Sequence, residues 1–90
     1  MKKLWYDLAW EDYLKLQTED KKLLKKANAI LKDIELNHYD GIGKPEALTG
    51  DLSGFWSRRI DLFNRIVYRI IEKDGEKYIE IAQCGTHYHK

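Results

Sequence analysis

The hydrophobic rhythm of this chain changes at Pro45, and that change limits the folds open to it. Before Pro45, apolar residues return every three or four positions. After it, "FWSRRI", "RIVYRII" and "KYIEIAQC" are short, alternating and rich in aromatic and β-branched residues. Helices followed by a run of strands predict an α+β domain. The stretch "NHYDGIGKP" marks the boundary, because two glycines and a proline continue a helix poorly. With 90 residues there is room for a single domain, residues 1–90. Its core is modest, since a chain of this size hides only about 60–65% of its unfolded surface.

Leu4, Trp5 and Tyr6 suit a first strand. Asp7 then stands as the N-cap of a helix over about residues 7–18, with Glu11 and Asp12 near its positive end and Trp10, Tyr13, Leu14 and Gln17 as its inward stripe. Asp20 caps a second helix that buries Leu23, Ala27, Ile30, Leu31 and Ile34 and ends near Asn37. Among the strands, Asp74-Gly75 is the strongest turn signal, because a two-residue type I′ loop needs positive φ at both positions. With that loop, Lys73 faces Glu76, Ile70 faces Ile79, Arg69 faces Glu80, Tyr68 faces Ile81 and Arg65 faces Cys84. Ile66, Tyr68, Ile70, Ile79 and Ile81 then form one apolar side for the helices to cover, joined by Trp56 and Ile60. Arg65, Arg69 and Glu80 take the other side, with Arg59 opposing Arg65. The expected order is β-α-α-β-β-β, an antiparallel twisted sheet with both helices on one face.

Charge is nearly balanced, with 16 basic and 15 acidic residues, but it is unevenly placed. Lys21, Lys22, Lys25, Lys26 and Lys32 face only Asp33 and Glu35 over residues 21–36, which makes the second helix locally basic. Such a run is either a solubilising surface or a patch that grips nucleic-acid phosphate. One cysteine, Cys84, cannot close an internal disulfide and reads as a small core residue. The opening "MKKLWYDLAW" is too interrupted by acids for a secretion signal, and no segment has the length of a membrane span. A soluble cytoplasmic protein is expected.

Glu46, His87, His38 and His89 are the candidates for proton transfer, and Lys44, Arg58, Arg59, Arg65 and Arg69 for holding negative charge. His87 and His89 alone are too few for zinc, and "GIGKPE" lacks the spacing of a phosphate loop, so no metal or cofactor is expected. A carboxylate, an imidazole and two guanidiniums on an uncovered sheet face suit RNA cleavage. That reaction needs a base for the ribose 2′-OH, cations for the charge gathering on phosphorus, and an acid for the departing 5′-oxygen. Arginine suits the task because its planar fork meets two phosphate oxygens and stays charged. Strand arginines are also often salt-bridged surface, as Arg69 opposite Glu80 is expected to be.

"KPEALTGDLSGFWSRRI", "RIVY" and the late "HY" resemble the YoeB-type toxins of the RelE superfamily, as does the series Trp5, Trp10, Asp12, Tyr13, Leu14, Gln17, Asp20, Lys21, Lys25, Lys26, Asn28, Lys32 and Asp33. The resemblance spans almost the whole chain. It implies the toxin of a bacterial type II toxin-antitoxin pair, a homodimer restrained by a YefM-type antitoxin. It further implies an endoribonuclease that cuts messenger RNA in the A site of the 70S ribosome, leaving a 2′,3′-cyclic phosphate and a 5′-hydroxyl. Carried onto this sequence, Glu46 is the general base, His87 the general acid, Arg59 and Arg65 the phosphate-steadying cations, and Tyr88 a nucleotide-positioning residue. Lys44 adds a phosphate contact; in such a protein the locally unbalanced charge of Lys21, Lys22, Lys25 and Lys26 favours a grip on ribosomal RNA phosphate over a solubilising surface. The chain departs from the family pattern at Thr49, often lysine, at Asn64, often histidine, and in His89 and Lys90 beyond the usual end. A relative that binds RNA or a partner without cutting is the alternative; presence of both Glu46 and His87 argues against it.

Overall fold

In the computed structural model, which describes residues 1–85, two helices cover one face of a five-stranded sheet. The elements run β1 (Lys2–Trp5), α1 (Asp7–Glu19), α2 (Lys21–Asn37), β2 (Glu46–Ala47), a 3-10 turn (Gly50–Leu52), β3 (Trp56–Arg59), β4 (Arg65–Lys73) and β5 (Glu76–Gly85). Across the sheet their order is β1-β5-β4-β3-β2. The α+β class and the helix placement are as the sequence predicts, with two differences in the sheet. Glu46–Ala47 forms an extra short strand against β3, and β1 runs parallel to β5 while all other pairs are antiparallel. Strand direction leaves no mark in the alternation of a four-residue strand; here β1 leads straight into α1, with the Tyr6 N–H donating to Ile81 O at 2.9 Å.

Helix α2 forms as expected. The Asp20 carboxylate accepts the Leu23 N–H at 3.0 Å, satisfying one of the free donors at the helix start. Ala27, Ile30, Leu31 and Ile34 are buried against the sheet, the isoleucine and leucine side chains contributing about 1.5–3 kcal/mol each. Helix α1 differs from expectation in phase. Its cap position is Tyr6, without a side-chain bond, so Asp7 lies in the first turn instead of capping it. Its inward residues are Ala9, Tyr13 and Leu16; Trp10 and Leu14 are each 43% exposed and Gln17 is exposed. The small Ala9 lets the helix backbone approach the sheet. The bulky Trp10 instead joins Trp5 and Tyr13 in a ring cluster at the rim, with centroids 5.4 and 5.8 Å away.

The β4–β5 hairpin turns at Asp74 and Gly75, with φ of 54° and 80°. From Lys73↔Glu76 to Tyr68↔Ile81 the register is the expected one. Beyond that a β-bulge intervenes, so Gln83 pairs with Val67, Cys84 with Ile66 and Gly85 with Arg65. Cys84 therefore does not face Arg65. The extra residue shifts alternation by one and turns Cys84 into the core, beside Ile60, Ile66, Tyr68, Ile79 and Ile81. Burial pushes its thiol up to about 12.

Candidate functional site

Alternation along β3 sends its two arginines to opposite sides of the sheet. Arg58 follows Trp56 to the helix-covered side and is fully buried. Its Nε donates to the Tyr68 hydroxyl at 3.1 Å, Nη1 to Asp33 Oδ2 at 2.5 Å and to Ile42 O at 3.1 Å. Nη2 donates to His38 O at 2.9 Å and to Asp40 O. All the N–H donors of the guanidinium are thus satisfied. Arg58 is therefore not available to hold substrate charge, contrary to the expectation from sequence; a buried cation persists only when paired and bonded in this way. Its bond, followed by further ones from the Ile42 N–H and Asn37, holds the Asp33 carboxyl below its ordinary range.

This clasp shapes the loop that leads to Glu46. His38, Gly41, Gly43 and Lys44 all have positive φ there. At Gly41, with φ 112°, a Cβ would lie 1.9 Å from Asp33 Oδ2, so the loop closes over the clasp only with glycine. The Arg59 N–H donates to Gly43 O at 2.6 Å and fastens the loop to β3.

On the helix-free face, strand pairing sets side chains in rows. Glu46 stands beside Ser57, and Ser57 beside Val67. One step along, Arg59 stands beside Arg65, and Arg65 beside Gly85. Diagonal neighbours on paired strands have Cβ atoms about 7–8 Å apart, which puts Glu46 and Arg59 within reach of one another's ligands. Arg65 leans across to β3, its Nη1 donating to Ser57 Oγ at 3.4 Å. Glu46 and Arg59 are exposed, and neither makes an ion pair with a described residue. The arrangement can hold an anion between two guanidiniums with a carboxylate alongside.

The remaining candidates separate. Arg69 is engaged by Glu80, as strand pairing predicts, and also lies 4.6 Å over the Phe55 ring. His38 lies at the α2 C-terminus, its carbonyl serving Arg58 and Tyr68. Lys21, Lys22, Lys25 and Lys26 are exposed along α2 without an ion pair to described residues. Lys44 ends the loop beside Arg59. His87, Tyr88 and His89 lie outside the described residues. Ser57, which orients Arg65 although only 2% exposed, escaped the sequence reading. Its place two residues before Arg59 on an alternating strand was the available signal.

Residues 5–88 match the family described as "YoeB-like toxin of bacterial type II toxin-antitoxin system". The chain belongs to the YoeB family. It is 47% identical to Toxin YoeB of Synechocystis over 90 residues, covering all of both chains. Among solved structures it resembles a YoeB/ParE toxin from Agrobacterium tumefaciens, with a TM-score of 0.90 and 38% identity over 98% of this chain and 100% of that one. It also resembles the Staphylococcus aureus toxin of a heterotetrameric YoeB-YefM complex, with a TM-score of 0.86, 43% identity and 98% of each chain covered. A dimer of YoeB from S. aureus gives a TM-score of 0.83 at 43% identity, again over 98% of each chain. The YoeB family relation confirms the resemblance read from "KPEALTGDLSGFWSRRI" and bears out the toxin-antitoxin assignment. No helix among the described residues is long and apolar enough to cross a membrane.

Proposed function

We propose that this YoeB family member is an endoribonuclease that cuts messenger RNA in the ribosomal A site by general acid/base chemistry. The single observation that carries this reading is the placement of Glu46 with Arg59 and Arg65 on the bare face of the sheet. Glu46 takes the proton of the ribose 2′-OH, which attacks the adjoining phosphorus. Arg59 and Arg65 hold the two non-bridging oxygens as charge builds there, a role worth about 10²–10³ in rate for one well-aimed donor. Ser57 keeps Arg65 aimed at that point. His87 delivers the proton that the 5′-oxygen needs to leave, giving a 2′,3′-cyclic phosphate and a 5′-hydroxyl, and Tyr88 positions the nucleotide. No metal or cofactor takes part in this scheme.

Lys44 contacts the substrate backbone, Lys21, Lys22 and Lys25 bind ribosomal RNA phosphate, and Lys26, at the edge of that run, binds RNA phosphate beside Lys44. The S. aureus structures support a YefM-type antitoxin and a homodimer as the protein partners. A carboxylate is a far weaker base than the ribose alkoxide it must help form, so the ribosome is needed to complete the site. The test is expression in bacteria together with primer extension on a translated message. Growth arrest and A-site cuts relieved by His87→Ala, Glu46→Gln or Arg65→Gln support the assignment. Cleavage of free RNA at the same rate with Glu46→Gln unimpaired would defeat it.

A further inference from the structure

At the end of β3 a cleft of about 320 Å³ opens between α2 and the β3–β4 turn, lined by Lys26, Gly43, Lys44, Arg59, Ile60, Asp61 and Leu62. That volume lies at the small end of the range for ligand clefts, about 300–1,000 Å³. It brings Lys26 from a helix, Lys44 from a loop and Arg59 from a strand to one place, none of them in an ion pair with a described residue. Asp61 keeps its negative charge in the cleft but is bound within its own turn and forms no ion pair with the three cations, which outnumber it. Its Oδ1 is occupied by the N–H groups of Phe63 at 2.8 Å and Asn64 at 2.7 Å and by Asn64 Nδ2 at 3.0 Å. Those bonds, with the Ile60 N–H to Asn64 O at 2.8 Å, stiffen the turn. The stiff turn holds Leu62 out of the core, 73% exposed, as the apolar wall of a cationic cleft. Lys44 keeps a positive φ of 53° there, a backbone conformation that disfavours a long side chain.

Cations opposite an apolar wall match the two halves of a nucleotide. We propose that this cleft is the subsite for the message nucleotide next to the scissile phosphate, with Lys26 and Lys44 holding its phosphate and Leu62 covering one face of its base. The proposal rests on the nuclease reading for its biological setting. Arg59 supplies the link, since it lines the cleft and also stands beside Arg65 at the site above. A message nucleotide is favoured over ribosomal RNA because the cleft shares that arginine with the cutting site, whereas Lys21, Lys22 and Lys25 lie outside it.

The test needs no cleavage. A 2′-O-methyl dinucleotide, which lacks the nucleophile, is titrated into the full chain and followed by amide chemical shifts, with inorganic phosphate as the second probe. The dinucleotide should move Gly43, Lys44 and Leu62. Leu62→Ser should weaken it about fivefold, the cost of losing the partial burial of one leucine side chain, and leave phosphate binding unchanged. Lys26→Gln with Lys44→Gln should weaken both probes. Dinucleotide binding that ignores Leu62→Ser, or shifts confined to residues outside the cleft, would overturn the subsite. So would Lys26→Gln weakening ribosome association while the dinucleotide leaves the cleft amides unmoved, since the cleft would then hold ribosomal phosphate. A parent protein that binds the dinucleotide in the cleft yet cuts no translated message would refute the nuclease reading alone.

Discussion

Arg58 and Arg59 are adjacent and chemically identical, yet one holds the fold and the other faces solvent. Removing Arg58 takes the donor from the carbonyls of Asp40 and Ile42 and the cation from the Asp33 carboxylate, while His38 O keeps the Tyr68 hydroxyl; each group left unsatisfied and shielded from water costs about 1–3 kcal/mol. Arg58→Met should therefore lower Tm by about 10 °C or more, given about 4–8 °C per kcal/mol for a domain of this size. Arg59→Gln should keep stability within about 0.5 kcal/mol and cut ribosome-dependent cleavage about 100-fold or more. Thermal melts and primer extension on the two variants separate these roles. The alternation that predicted Trp56 and Ile60 in the core also places Arg58 there, so its burial was legible. Its partners were not, because Asp33 and the carbonyls around Asp40 come from a helix and a loop whose closure follows from tertiary packing.

The acidic partners of such cations set a pH dependence. The Asp33 carboxyl is held low by Arg58, and that of Glu35 by Lys3. Because their folded pKa values lie below the unfolded ones, about 3.9 and 4.3, the stability they contribute is complete above those values. It is lost as pH falls through the depressed folded values. Denaturation followed by circular dichroism should show stability steady from neutral pH to about pH 5 and falling below about pH 4, with Asp33→Asn flattening part of that fall.

At the scale of elements, the loop before β2 and the β4–β5 hairpin both rely on glycine, for different reasons. Nothing lies within 4 Å of a Cβ placed on Gly75, so Gly75→Ala meets only the strain of its φ of 80°. Gly41→Ala meets that strain and a carboxylate oxygen at 1.9 Å. Urea unfolding should find Gly41→Ala the more destabilising of the two, by at least about 1 kcal/mol. The hairpin register was readable from Asp74-Gly75 as far as Tyr68. The bulge beyond it was not, since the choice between Cys84 and Gln83 as the inward residue depends on packing against Ile60 and Ile66. Helix α2 was readable throughout because its apolar residues and its cap agree. Helix α1 was misread in phase because Trp10 and Leu14 outweigh Ala9 in hydrophobicity while Ala9 fits the space against the sheet.

For the whole molecule, the two faces of the sheet divide the work: one is closed by helices and makes the core, the other displays Glu46, Arg59 and Arg65. The lysines on α2, without ion pairs among the described residues, extend positive charge beyond that face. Replacing Lys21, Lys22, Lys25 and Lys26 with glutamine should weaken ribosome binding and reduce its dependence on salt, as fewer counterions are released. Sedimentation of the toxin with ribosomes at several ionic strengths measures this, and binding unchanged across salt would make the run a solubilising surface. The α+β class and the open face were legible from the change of period at Pro45. The parallel edge made by β1 was not, because four residues carry no record of their direction.

The bulge in β5 gives the molecule one more property. By turning Cys84 inward it seals the chain's single thiol away from solvent, in a setting that disfavours the thiolate. A thiol-reactive dye can label this protein only when the packing around Cys84, between α1 and the end of β5, opens. The speed of labelling is therefore a clock for spontaneous opening of the native state, built in without any added probe.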